Sequence, residues 1–428
     1  MKIRLAYGRD GLTIDVPDRN LAGILKQSSR SPLEDPVSEL EQQLQHPRGT
    51  SPLLEKARGA SSAVVVISDI TRPVPNTLLL PPILRTLREA RVPRERTTIL
   101  IATGLHRSST VEELSRLVGG TVNNQYRVES HHARAIDEQR FLGHTQRGTP
   151  VYIDERYCAA DLKITTGFIE PHLMAGFSGG RKLVAPGCAG EATIKALHSP
   201  KFLEHPNCRE GCIDGNPLHD ELLAIAAMAG HDFIVNVSLD ADHAVTGMFV
   251  GDPLLAHAEG VARVREMVGA KIDREADIVV TTSAGYPLDL TYYQAVKGMT
   301  AALPVVREGG TMIIAAECAE GLGSKEFSAM ATEYPTSAGF VHAIMERPVV
   351  IDQWQLEEAA KAARKAKVVL VSGGIPEHQK SRLFVESAPT VEHALEEALR
   401  RYGPQARVAV IPQGPYTLVG TNQPPADN

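Results

Sequence analysis

The chain has 428 residues, more than one hydrophobic core usually spans, so two domains are expected. Hydrophobic residues at 43% and charged residues at 22% describe a globular protein, and a net charge of -6 excludes the broad basic surface that nucleic-acid binding demands. No apolar run is long enough to cross a bilayer, and five cysteines are too few and of the wrong parity for a disulfide framework. A cytoplasmic protein with neither a nucleic-acid nor a membrane partner is expected.

Residues 1–18 alternate apolar and polar positions about Arg9-Asp10-Gly11, the pattern of a β-hairpin and not of a signal peptide. Apolar, β-branched runs then recur at 63–68, 97–103, 161–167 and 232–239, most of them followed by segments of helical period. Continuous apolar strands are buried on both faces, as in a parallel sheet covered by helices. A second series of runs occupies 276–285, 310–321 and 367–374, with a helix predicted near 290–307. The helical stretch 253–268 lies between the two series, which places a boundary near residue 270. The predicted fold is α/β, with two domains that each carry a largely parallel sheet and with the active site in the cleft between them. Residues 1–270 form the cofactor-binding domain and 271–399 the second domain. The strand predicted at 407–414 fits either domain, and the segment 400–428 is assigned to pack back on the first.

Polar residues cluster where these runs end. Asp69 and Arg72 follow the first strand, where ligands bind in open α/β sheets, although Asp69 or Thr71 could simply cap a helix. Gly104, His106 and Arg107 follow the second, just before a Thr110–Glu113 capping box. Pro171 and His172 follow the third; a buried histidine satisfied by a carbonyl is the plain alternative. Next come Ser178, Gly179, Gly180, Arg181 and Lys182, a run that favours a phosphate or nucleotide cradle but lacks the glycine spacing of a P-loop. His198 ends a short predicted helix at 192–197, where the helix dipole favours a proton or a metal on the ring. His205, Cys208 and Cys212 are compatible with zinc, but no second pair completes a tetrahedral set. Gln294 and Lys297, three apart, share one helical face and could address one anion.

In combination these motifs, from the N-terminal hairpin to Pro412-Gln413-Gly414-Pro415, resemble the nickel-dependent lactate racemase family. The resemblance implies racemisation or epimerisation of a 2-hydroxy acid with a nickel-pincer nucleotide, supplied by cofactor-synthesis proteins that act as maturation partners. It further implies that Lys182 carries the cofactor through a thioamide link, that His198 ligates nickel, and that His106 and His172 are the acid/base pair. Arg72, Gln294 and Lys297 are then the groups around the substrate carboxylate, with Asp69 in the same shell. Backbone amides of Ser178, Gly179 and Gly180, or the side chain of Arg181, are expected to hold the cofactor phosphate.

Two other classes compete. A zinc hydrolase would draw on some of His106, His172, His198 and His205, but the chain offers no His-x-x-x-His pair and no glutamate base of the usual helical kind. A non-catalytic nucleotide or hydroxy-acid binding protein would not need two candidate bases.

Overall fold

The computed structural model describes residues 1–28, 30–240 and 242–422. The chain divides into two compact units: a first unit of Met1–Ser28, Ser199–Glu204 and Arg265 onward, and a second of Ser29–His198 and His205–Val264.

The second unit is built on a six-stranded sheet. Its strands run in the order Val245–Gly251, Phe233–Leu239, Leu162–Phe168, Ala63–Ser68, Thr97–Ala102 and Arg127–Ser130. All neighbours are parallel except Val245–Gly251, an antiparallel edge. Val64, Val65, Val66 and Ile67 are fully buried, each burial stabilising by roughly 1.5–3 kcal/mol. After Ala63–Ser68 the chain adds strands on one side and then crosses to place Leu162–Phe168 on the other. The strand ends of Ala63–Ser68 and Leu162–Phe168 therefore flank the switch point of the sheet, where a crevice opens at the carboxyl ends.

The first unit repeats this plan with its own six-stranded sheet. The order is Glu386–Ser387, Lys367–Val371, Val306–Ala315, Ala276–Thr282, Val408–Ile411 and Leu21–Ile24, all parallel. Alternate residues point to opposite cores. Val279 packs with Tyr292, Ala295, Val296 and Met299 of the helix Tyr292–Ala302. Ile278 and Val280 pack with Leu395 and Ala398 of the helix Val391–Tyr402, together with Ile3, Leu5 and Ile14 of the N-terminal hairpin. That hairpin pairs Lys2–Leu5 with Leu12–Asp15 in antiparallel register.

The sequence-based boundaries need two corrections. Met1–Ser28 belongs to the first unit and not with residues 29–264, because Leu21–Ile24 extends the sheet beside Val408–Ile411 and the hairpin covers its core. The segment after residue 400 belongs to the same unit: Val408–Ile411 lies inside its sheet, and Leu418–Thr421 pairs with Gly269–Ile272. Residues 423–428 of the predicted C-terminal segment lie outside the described residues. Among the described residues, no helix is long and apolar enough to cross a membrane.

Candidate active site

Three adjacent strands of the second unit deliver Asp69, His106 and His172 from their carboxyl ends. Asp69 directly follows Ala63–Ser68, and its Oδ1 accepts from the Thr71 amide at 3.2 Å and from the Thr71 hydroxyl at 2.5 Å. That closes an Asx turn and leaves Oδ2 to face His106 Nδ1 at 2.6 Å. Asp69 is 7% exposed and His106 58%, so a buried carboxylate holds an accessible imidazole. Burial raises the Asp69 pKa, but the bonds from His106 and Thr71 outweigh it and the net shift is downward. A carboxylate that accepts Nδ1–H leaves the His106 Nε2 lone pair facing outward, the tautomer a general base needs. Arg107, by contrast, is bound bidentately at 2.7 Å to Glu113, the carboxylate that also closes the capping box with Thr110.

His172 sits on a two-residue-per-strand hairpin in which it pairs with Gly176. Its Nδ1 accepts from the amides of Met174 at 3.3 Å and Ala175 at 3.2 Å. A ring nitrogen that accepts carries no hydrogen, so the neutral ring bears its proton on Nε2.

Arg181 braces this hairpin. It is 2% exposed, and its guanidinium donates to the carbonyls of Ala175 and Phe177, each at 3.0 Å, and stands 2.9 Å from His257 Nε2, which itself donates to the Ser178 carbonyl at 2.8 Å. Burial lowers its pKa to about 9, which still leaves it charged at neutral pH. The expected phosphate role of this run is narrowed at Ser178 and Gly180, whose amides are already engaged. The terminal nitrogens of Arg181 are turned to the loop while its Nε is buried without a partner among the described residues, the Ser178 amide bonds the Glu170 carbonyl, the Ser178 hydroxyl bonds the Phe168 carbonyl, and the Gly180 amide bonds Asn236 Oδ1. Gly179 and Gly180 are required for a turn at positive φ pressed against neighbours: a Cβ on Gly179 would lie 2.6 Å from Asn236 Oδ1. The Ser178 and Gly180 amides are thus committed within the protein and shape the loop. His257 and Asn236, which complete the brace, carried no sequence signal, since both lie on regular elements far along the chain.

Lys182 is the half-buried residue that follows the brace. Its loop is tied to the His106 loop, because the Gly187 amide bonds the Lys182 carbonyl and the Gly187 carbonyl accepts from the Gly104 amide. His198 ends the helix Glu191–Leu197, with Nδ1 2.8 Å from the Ile194 carbonyl. Nδ1 must donate there, so Nε2 holds a lone pair suited to a metal. Burial lowers the His198 pKa to about 4; the Ile194 bond opposes this and the Lys182 charge adds to it. A neutral imidazole that feels the Lys182 charge is compatible with the metal-bearing, lysine-linked cofactor that the sequence resemblance implies, and in this respect the residues fit the group.

Arg72 is half-buried beside Asp69, whose carbonyl accepts its amide. Gln294 and Lys297 belong to the first unit. They lie one turn apart on the helix Tyr292–Ala302, which Thr291 caps through the Gln294 amide at 3.3 Å. The side-chain oxygen of Gln294 is buried without a hydrogen-bond partner. The Cys208 thiol bonds the Met174 carbonyl and the Cys212 thiol the Asp214 carbonyl; among the described residues, no three His, Cys, Asp or Glu side chains are grouped to hold a metal.

Comparison with known proteins identifies the family. The family profile for the lactate racemase N-terminal domain matches residues 7–211, and that for the lactate racemase C-terminal domain matches residues 272–419. A lactate racemase from Thermoanaerobacterium thermosaccharolyticum is 34% identical, the alignment covering 97% of this chain and 99% of the relative. One from Lactiplantibacillus plantarum is 37% identical with the same coverage. The solved lactate racemase apoprotein of the former organism superposes with a TM-score of 0.92 at 33% identity, covering 98% of this chain and 100% of that one. A Thermotoga maritima protein shares the fold at 18% identity, with a TM-score of 0.70, covering 92% of this chain and 100% of its own.

Proposed function

The chain belongs to the lactate racemase family and is an isomerase of the racemase type, and on that premise we propose that it inverts C2 of a small 2-hydroxy acid by removing and returning a hydride through a 2-keto acid. Loss of the C2 hydrogen as a proton would create a carbanion beside a carboxylate, which is very costly; loss as hydride avoids it. A nickel-pincer nucleotide, when bound, supplies the hydride-accepting centre. Lys182 would hold it covalently and His198 through Nε2.

The chain's own residues manage position and protons. His106, held by Asp69, takes the hydroxyl proton on Nε2 while the carboxylate stabilises the imidazolium. His172 has the opposite starting tautomer, with a proton on Nε2 that can be given to the oxygen of the keto acid. Two enantiomers present their hydroxyls differently, so a pair of oppositely loaded histidines suits passage between them. Arg72 anchors the carboxylate through its planar fork, and Gln294 and Lys297 are proposed as a neutral and a charged donor to the same group. Arg181, Ser178, Gly179 and Gly180 hold the Lys182 loop in shape.

The Asp69–His106 bond carries this reading, because a purely binding protein has no use for an accessible base oriented by a buried carboxylate. The test is racemisation in D2O by protein made in a host with the cofactor-synthesis proteins, starting with lactate, the acid in the relatives' names. Inversion without deuterium at C2 is expected. Solvent deuterium entering C2 once per inversion would sink the hydride route, and no inversion across a panel of 2-hydroxy acids by nickel-loaded protein would sink the function.

A further inference from the structure

The first unit contains a groove that none of the proposed racemase residues lines. It encloses about 640 Å³ and runs along the N-terminal hairpin to the loops after Ala276–Thr282 and Val408–Ile411. Those two strands are neighbours, and the chain leaves them in opposite directions: from Ala276–Thr282 it builds outward to Val306–Ala315, whereas Val408–Ile411 is added on the other side. The groove thus occupies the switch point of this sheet, the place where open α/β folds bind ligands.

Its charge is one-sided. Lys2, Arg4, Arg9 and Lys26 line it, all exposed, and no acidic residue does. Among the described residues none of the four forms an ion pair with a carboxylate; the Arg4 guanidinium donates to the Asp10 carbonyl and Arg9 lies 3.5 Å from the Tyr286 ring centroid. Two nearby acids support the wall from behind, Asp289 Oδ2 accepting from the Gly8 amide at 2.6 Å and from the Glu317 amide at 3.2 Å and the Glu317 carboxylate lying against Gly8, while Asp15 stands opposite Lys2 in the hairpin. The loop is also held in an unfavourable conformation. Ala284 has φ +65°, a left-handed state that costs an L-residue about 1–2 kcal/mol and tends to persist where a site requires it. Gly285 is needed beside it, since a Cβ there would stand 3.0 Å from the Gly8 carbonyl oxygen.

Four like-charged side chains gathered at a switch-point crevice repel one another unless an anion joins them. We propose that this groove binds a phosphate-bearing small molecule, with Lys2, Arg4, Arg9 and Lys26 as its cationic contacts and Tyr286 as an apolar wall. Phosphate is favoured over a carboxylate because several spread cations match a multivalent tetrahedral anion better than a single planar one.

Titration calorimetry with inorganic pyrophosphate at low salt tests this on the full chain. Wild-type protein should bind on the order of 1 mM or tighter. The double variant Lys2→Glu with Lys26→Glu should lose affinity by about tenfold or more, with its melting temperature unchanged, and Arg9→Gln should lose about threefold. Lys182→Ala, altered in the second unit, should bind as wild type does, so failure of the racemase reading would leave this result standing. Absence of binding, equal binding by the charge-reversed variant, loss of binding in Lys182→Ala, or citrate binding as tightly as pyrophosphate would each overturn the proposal.

Discussion

Asp69 and His106 stand 37 residues apart in sequence and 2.6 Å apart in space. The carboxylate fixes which ring nitrogen carries hydrogen, so its removal acts on catalysis more than on binding. Asp69→Asn is expected to lower kcat on the order of 10²-fold or more with KM little changed, read by steady-state racemisation of lactate. Because the Asp69 pKa is depressed, the bond's contribution is intact above the ordinary carboxylate range and is lost only as pH falls through the lowered value. The wild-type enzyme should therefore show no alkaline loss traceable to Asp69. A variant with unchanged kcat would remove the carboxylate from the mechanism.

Lys182 and His198 lie close enough that the charge of one lowers the pKa of the other, yet their assigned roles separate cleanly by measurement. Lys182→Ala should abolish any covalent adduct in an intact-mass spectrum while leaving some nickel bound. His198→Ala should reduce nickel, read by plasma mass spectrometry, without abolishing the adduct. An adduct surviving in Lys182→Ala, or undiminished nickel in His198→Ala, would refute the corresponding assignment.

Glycine substitutions can tell shape from space in the loops that carry these residues. Gly104 has φ +53°, but the nearest atom to an added Cβ is the Pro186 carbonyl oxygen at 3.6 Å. Gly104→Ala should therefore cost only the backbone term, about 1–2 kcal/mol. Gly179 has φ +78° and its Cβ would meet Asn236 Oδ1 at 2.6 Å, adding a clash of about 1–3 kcal/mol to the same term. Urea denaturation should rank Gly179→Ala clearly below Gly104→Ala, and equal stability of the two would contradict the packed turn described around Arg181.

How far the chain could be read unaided depends on the range of the interaction. The runs at 63–68, 97–103 and 276–285 are legible because a strand buried on both faces writes a continuous apolar stretch, and a strand followed at once by Asp69 or Thr103 marks the site's edge of the sheet. Sheet membership is not written that way: nothing in Leu21–Ile24 says that it pairs with Val408–Ile411, hundreds of residues on. The same holds for Ser178 to Arg181, where glycines before a basic pair resemble an anion loop until Asn236 is seen to take the Gly180 amide and His257 to donate to the Ser178 carbonyl. The Asp69–His106 pair was assembled from two motifs that sequence placed separately, so the residues were legible and their bond was not.

Glu357 offers a prediction remote from the reaction. It is fully buried on the helix Gln353–Lys365, and its carboxylate oxygens meet no N–H donor. Desolvation raises its pKa to about 9, Lys361 opposing and the neighbouring Glu204 and Glu358 adding to the rise; Lys361 itself is engaged 2.7 Å away on Glu358. With the folded pKa above the unfolded one, the native state holds a proton that the unfolded chain has released, so stability falls as pH rises from the ordinary carboxylate range toward 9. Glu357→Gln keeps the shape and removes the titration. It should match wild type near pH 4 and exceed it by a few kcal/mol at pH 8, with a melting-temperature advantage that widens across that interval. A constant difference at all pH values would mean that Glu357 is ionised in the folded protein, which in turn would require a cation among Glu204, Glu357 and Glu358.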